Sequence, residues 1–424
     1  MLNLQISKSR HIKKISVALF CVVLFLCLFS VIINNTNRKK RVRLGNEIFV
    51  SQYISEVRDQ KVGLVVNHTS LLPEGTHLVD ALVKKGITVE SLFTTEHGFL
   101  GDKEAGQNIR DSQYKGIRIH SLHGDIKRPT SQQIKDLDAL IYDIQDVGAR
   151  FYTYIATMKY ILESASLKNI PVYILDRPNP TGGLIIEGPL LDRELESFTA
   201  PCPIPIRYGM TCGELALMMR GESWIPKNTD IRVVKMKGWK RTFFWKDTGL
   251  IWVPPSPNIP LPQTTLAFPG TSLLGGIRLN HGIGTQNPFL QFGAPWLDPE
   301  TIMQNMEEKS VQGVILSQIT YTPRSLPGKT AYPPYKDRLC RGILISVQEE
   351  TSFRSLEFTL DLIRILKNHF PDKIEIITDK FDSLFGNGWL RLYIEDRLSY
   401  EQLKKLLKKD EDAFRQQRKP YLLY

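Results

Sequence analysis

From about Gln60 onward, short apolar runs alternate with stretches of helical periodicity, and this alternation leaves few folds open. Residues 62–66 (VGLVV), 88–93, 116–120, 139–144 and 171–175 read as strands, and residues 231–236 as a last strand of the same set. Between them, residues 77–85 place Leu78, Ala81 and Leu82 on one helix face, and residues 153–167 read as a longer helix. Strands alternating with helices at this spacing predict a parallel sheet covered by helices on each side. The fold class is therefore α/β: a Rossmann-like parallel sheet domain followed by a smaller C-terminal α/β domain.

The second half repeats the alternation more sparsely. Residues 313–320, 342–347 and 374–377 are strand candidates, residues 355–369 a helix, and a basic amphipathic helix runs from Ser399. Residues 253–272 carry six prolines and predict a rigid, irregular crossing segment. The expected divisions are residues 1–47, 48–250, 251–300 and 301–424.

Charge places a different constraint on the N-terminus. The net charge is +11, but nine of the 55 Lys and Arg fall within residues 1–43, which hold no acid. The other 46 bases face 44 acids, so the remainder is nearly neutral and nucleic acid is not an expected partner. Residues 15–33 are 19 positions without a charge. That length suits a membrane anchor, with a cleaved export signal as the alternative, and it predicts a chain anchored facing the cell exterior or secreted. Of the five cysteines, Cys21 and Cys27 lie in this segment. Cys202, Cys212 and Cys340 lack metal-ligand spacing and read as buried thiols, with at most a Cys202–Cys212 disulfide.

Ligands of open parallel sheets bind beyond the carboxyl ends of the strands, so the residues after each strand are the candidates for chemistry. They are Asn67, His68 and Thr69; Glu96 and His97 before Gly98; Asp143, Gln145 and Asp146, then Arg150; and Asp176, Arg177 and Asn179. Carboxylates brought to one edge are what glycosidic cleavage needs, one protonating the leaving oxygen and another assisting. Glu96, on a tight turn, is the acid candidate, with Asp143 and Asp146 as partners. Arg150 and Arg177 are expected to grip an anionic group, and Tyr152 and Tyr154 to stack on a sugar ring. Asp or Asn after a strand also often caps the next helix, so each residue taken singly has a structural reading. A dinucleotide glycine fingerprint, a P-loop, a G-x-S-x-G elbow and an H-E-x-x-H motif are all absent from the sequence.

The blocks Asn67-His68-Thr69, Thr95-Glu96-His97-Gly98-Phe99, the run from Asp143 to Tyr154, and Asp176-Arg177-Pro178-Asn179-Pro180 resemble the exo-β-N-acetylmuramidase family. The likeness continues through Glu187-Gly188-Pro189, Tyr208-Gly209-Met210-Thr211, the stretch from Trp252 to Pro260, Pro269-Gly270-Thr271, Phe292-Gly293-Ala294-Pro295-Trp296 and Tyr421-Leu422-Leu423-Tyr424. It covers about residues 48–424. The resemblance implies two domains with a cleft between them, and hydrolysis of terminal β-1,4-linked N-acetylmuramic acid from peptidoglycan fragments. It implies no metal and no cofactor. It implies Glu96 as the catalytic glutamate, with Asn67, His68, Asp143, Gln145, Arg150, Tyr152 and Tyr154 lining the site.

One stretch departs from the family pattern. After Pro-Gly-Thr, members usually read Leu-Leu-Glu-Gly-Thr-Asn-Leu-Ser-Glu-Gly-Arg-Gly-Thr. Here Gly275 and His281 stand in place of the acids and Ile283 in place of the arginine. The loop is expected to face the cleft, so the departure implies a shifted substrate or impaired catalysis. The alternative reading is a paralogue that binds muropeptides without cutting them.

Overall fold

The computed structural model describes residues 41–104 and 106–424, and the apolar segment 15–33 lies outside the described residues. Strands β1 (Lys61–Val66), β2 (Thr88–Thr94), β3 (Ser112–Tyr114), β4 (Ile117–Ser121), β5 (Ala139–Asp143), β6 (Val172–Leu175) and β7 (Ile231–Val234) form one sheet in the order β3-β4-β2-β1-β5-β6-β7. All neighbours are parallel except the β3–β4 pair. The central strand β1 is buried at every position but its first, which matches its Val, Gly and Leu content. It pairs with β2 on one side and β5 on the other, so the order reverses there and a crevice opens beyond Val66 and Asp143.

Helices α1 (Leu78–Lys84), α2 (Tyr154–Lys168) and α3 (Cys212–Gly221) belong to this half. In α2, Ile155, Met158, Ile161, Leu162 and Ala165 recur at helical spacing and all are buried. Asn169, left-handed with φ 57°, ends it.

The second sheet is antiparallel, ordered β8-β10-β9, from β8 (Gln291–Ala294), β9 (Val314–Tyr321) and β10 (Cys340–Val347). Helices α4 (Pro262–Thr271), α5 (Ser355–His369) and α6 (Tyr400–Gln417) accompany it. Ser399 caps α6 in a reciprocal bond with Gln402, and Leu403, Leu407 and Phe414 are its buried stripe. One hydrophobic cluster runs without a break from Val65, Phe93 and Tyr142 to Phe292, Phe358 and Phe414.

The structure corrects two expectations and bears out a third. The proline-rich stretch contains helix α4: Pro262 occupies its first turn, where a missing N–H costs nothing, and Pro269 falls in its last turn. Gly270 lets α4 lie directly on α5, since a Cβ there would meet the Ser355 carbonyl oxygen at 2.0 Å. Residues 374–377 pair with no strand. Ile374 and Ile376 pack against the core, and the chain runs into a helix at Thr378–Phe385. Finally, Cys202, Cys212 and Cys340 are separate buried thiols, with no Cys202–Cys212 bond.

Candidate active site

Strand β2 delivers Thr95-Glu96-His97-Gly98 to the carboxyl edge of the sheet. His97 (φ 71°) and Gly98 (φ 76°) are both left-handed, and the Gly98 N–H closes the turn on the Thr95 carbonyl at 3.1 Å. A left-handed His is a strained choice, held here because its Nδ1 bonds the Lys103 carbonyl at 2.7 Å.

The turn points Glu96 at the start of α2. Thr153, the residue before α2, makes no capping bond; its hydroxyl instead donates to Glu96 Oε2 at 2.7 Å. The Gly106 N–H donates to Oε1 at 2.8 Å, and His123 Nε2 stands 3.8 Å from the same oxygen. The carboxyl group is thus fixed through both oxygens beside the start of α2.

Glu96 lies on the wall of a cavity of about 490 Å³. That volume falls in the range of small-molecule sites. His97, Glu104, Tyr152 and Thr153 share the wall with it. Ser256 and Asn258 come from the proline-rich segment, and Lys329, Thr330 and Tyr332 from the β9–β10 connection. Phe268 and Phe289, ring centroids 4.7 Å apart, give the cavity an aromatic side, with Tyr152 edge-on to Phe268 at 6.1 Å. Tyr332, 86% exposed, stands at the mouth.

Most of the other sequence candidates hydrogen-bond within the sheet edge, although Asn67 Nδ2, Gln145 Oε1, Asp146 Oδ1 and Arg177 Nη2 have no partner among the described residues. Asp143 is fully buried: its carboxylate accepts from Arg177 Nε at 2.6 Å and from Asn46 Nδ2 at 3.1 Å. Arg177 therefore pairs with Asp143 through Nε, while its Nη2 is buried with no hydrogen-bond partner among the described residues. Asn67 Oδ1 accepts from the Thr69 backbone and hydroxyl, and Gln145 Nε2 donates to the Asp146 and Pro178 carbonyls. Asp146 accepts from the Tyr208 hydroxyl and the Gly148 N–H, and burial pushes its acid up to about 6. Asp176 collects Gly213 N–H, the Thr211 hydroxyl and the Tyr424 hydroxyl, yet burial raises it too to about 6. Asn179 bridges Thr181 and the Met210 carbonyl.

Arg150 is another correction. Its guanidinium is fully buried and donates to four carbonyls, those of Pro189, Ile204, Leu384 and Phe385. It fastens segments of both halves and has no access to the cavity. His68 and Tyr154 act similarly on the proline-rich segment. His68 Nε2 meets the Pro254 carbonyl at 2.7 Å and the Tyr154 hydroxyl donates to the Pro255 carbonyl at 2.6 Å. Burial lowers the His68 ring, which keeps it neutral and able to donate from Nε2.

The departing loop contributes less to the cleft than its sequence suggests. Gly275 and His281 pack on one another, a Cβ at 275 standing 2.8 Å from His281 Cε1, and burial drives the His281 ring down to about 4. Of the three changed positions only Ile283 lines the cavity.

The structure thus gathers Glu96, His97 and Tyr152 from the candidate set and adds Glu104, Thr153, Asn258 and Lys329, which sequence reasoning did not single out. Thr153 and Asn258 lay inside recognisable blocks; Glu104 and Lys329 carried no signal. Among the described residues, no group of three or more His, Cys, Asp or Glu is arranged to hold a metal ion.

Comparison with known proteins finds family, sequence and structural matches. The family described as "Exo-beta-N-acetylmuramidase NamZ, N-terminal" matches residues 62–263, and its "C-terminal" counterpart matches residues 266–424. The peptidoglycan beta-N-acetylmuramidase NamZ of Bacillus subtilis (strain 168) is 36% identical over 395 residues, which cover 92% of this chain and 93% of that protein. Two crystal structures of DUF1343 family proteins from Bacteroides fragilis NCTC 9343 superpose with TM-scores of 0.83 and 0.73. Each is 32% identical; they cover 91% and 90% of this chain and 99% of their own.

Proposed function

The chain belongs to the exo-beta-N-acetylmuramidase NamZ family, and on that premise we propose that it is a glycoside hydrolase releasing terminal β-1,4-linked N-acetylmuramic acid from peptidoglycan fragments. The observation that carries this reading is the Glu96 carboxylate, fixed through both oxygens on the wall of a sugar-sized, partly aromatic cavity.

Glu96 acts as general acid. It gives its proton to the glycosidic oxygen as the bond to the anomeric carbon breaks, and positive charge grows on the sugar ring. It then takes a proton from the water whose oxygen attacks that carbon, restoring the acid. Glu104, the second carboxylate on the same wall, assists by stabilising the charge that develops on the ring. Asp143 and Asp146 are given no part, because neither lines the cavity that holds Glu96. Tyr152, Phe268 and Phe289 offer apolar faces for the sugar.

The test is release of a chromogenic aglycone from an N-acetylmuramic acid β-glycoside. Glu96→Gln should lower turnover by about 10²–10⁴-fold, the usual contribution of acid–base help. Equal release by variant and wild type would remove Glu96 from the mechanism. In this account residues 15–33 tether the enzyme to the outer face of the membrane or direct its export, and fractionation of cells making the full chain distinguishes the two.

A further inference from the structure

We infer that Lys329 is the specificity-determining residue that receives the carboxylate of the sugar's lactyl ether. The inference rests on the glycosidase reading and adds what would make the cavity select muramic acid over a sugar without that group.

N-acetylmuramic acid differs from N-acetylglucosamine by an O-linked lactyl group, an anion at neutral pH. A cavity that prefers the former needs a cation within reach of the ring. Neither arginine that sequence placed near the site lines the cavity: Arg177 pairs through Nε with Asp143, and Arg150 donates to four backbone carbonyls. His97 is tied through Nδ1 to the Lys103 carbonyl, and Ile283 makes its part of the wall apolar. Among the described residues lining the cavity, Lys329 is the one lysine or arginine.

Its setting suits a receptor for an anion. The backbone is anchored on both sides of the side chain: the Lys329 N–H donates to the Leu326 carbonyl at 3.0 Å, and the Lys329 carbonyl accepts from Asn258 Nδ2 at 3.0 Å. Gly328, the residue before it, packs towards the Asp102 carbonyl, which would lie 3.3 Å from a Cβ there. The tip of the β9–β10 connection is therefore seated against the loop that follows Glu96. Lys329 is half-buried, and among the described residues its ammonium has no carboxylate within ion-pair distance, although Glu96 and Glu104 line the same cavity. An incoming carboxylate would give this ammonium an opposite charge to pair with. A loop lysine that is merely solvated would make no distinction between ligands.

Calorimetric binding of N-acetylmuramic acid and of its lactyl amide, which has the same shape without the charge, separates the two. The wild-type protein should bind the acid about ten- to a hundredfold more tightly than the amide, as a charge-assisted contact implies. Lys329→Gln should bind both alike, and Lys329→Arg should restore the preference. A Lys329→Gln variant that keeps the preference, or a wild type that shows none, overturns the assignment. Hydrolysis of the chromogenic glycoside by the wild type is scored separately. Its absence would count against the glycosidase reading while the binding comparison still decides the role of Lys329.

Discussion

Asp143 and Glu96 both follow strands of one parallel sheet, β5 and β2, and both deliver a carboxylate to the same edge. Asp143 ends a strand flanked on both sides, in register with Val66, and is sealed under Asn46, Arg177 and the Ser70 hydroxyl that bonds its carbonyl. Glu96 sits two residues beyond its strand, on a left-handed turn that lifts it out of the sheet and leaves it on a cavity wall. At the strand-order reversal Asp143 is thus enclosed by its own partners, whereas Glu96 lines a cavity shared with residues of the β9–β10 connection. Position on a sheet edge supplies candidates. What decides between them is whether the chain's own donors already use up the acceptor.

That contrast can be broken at the closed region first. Arg177→Met leaves Asp143 buried without its cation, and removal of one member of such a pair costs about 3–5 kcal/mol. Urea unfolding should show this loss, and Asp143→Asn in the same chain should recover part of it. A single variant as stable as the wild type would mean the edge is not a closed network.

Asp146 gives a second, pH-dependent break. Its acid is raised to about 6 by burial, against 3.8 in a free chain. Between about pH 4 and 6 the folded protein keeps a proton that the unfolded chain has released, so this group's stabilisation is full at low pH and is lost as pH rises through 6. Asp146→Asn lacks the titration. Its stability relative to wild type should therefore rise by about 3 kcal/mol across that window, one pKa unit being 1.36 kcal/mol. A difference independent of pH would contradict the assignment.

The smallest expected effect lies at the open region. Thr153→Val removes the hydroxyl that donates to Glu96 Oε2 and keeps the shape. Turnover should fall about tenfold, the worth of one charge-assisted hydrogen bond. Thr153→Ser should restore it, and the unfolding midpoint should change little in either. Failure of serine to rescue would show that Thr153 acts through packing alone.

The sheet was legible because strands buried on two faces leave unbroken apolar runs, as in Val62 to Val66. Helix α4 was hidden by Pro262 and Pro269, which are permitted at its two ends. Residues 374–377 mimicked a strand because an apolar run packs equally well as a loop against a core. In the site, Glu96 was legible from its block and its turn. The burial of Asp143 and Arg150 was not, since their partners Arg177, Asn46 and the carbonyls of Leu384 and Phe385 meet them only in the folded chain. Glu104 and Lys329 stand in loops without periodicity, so the fold alone brings them to Glu96.

The central claim is that sugar chemistry occurs in the Glu96 cavity rather than at the strand-order reversal. A crystal structure with N-acetylmuramic acid bound addresses it most directly. The ring is expected in the cavity lined by Tyr152, Phe268 and Phe289, with its anomeric oxygen within hydrogen-bonding reach of Glu96. A sugar seated instead against Asn67, Asp143 and Gln145, with the Glu96 cavity empty, would contradict it.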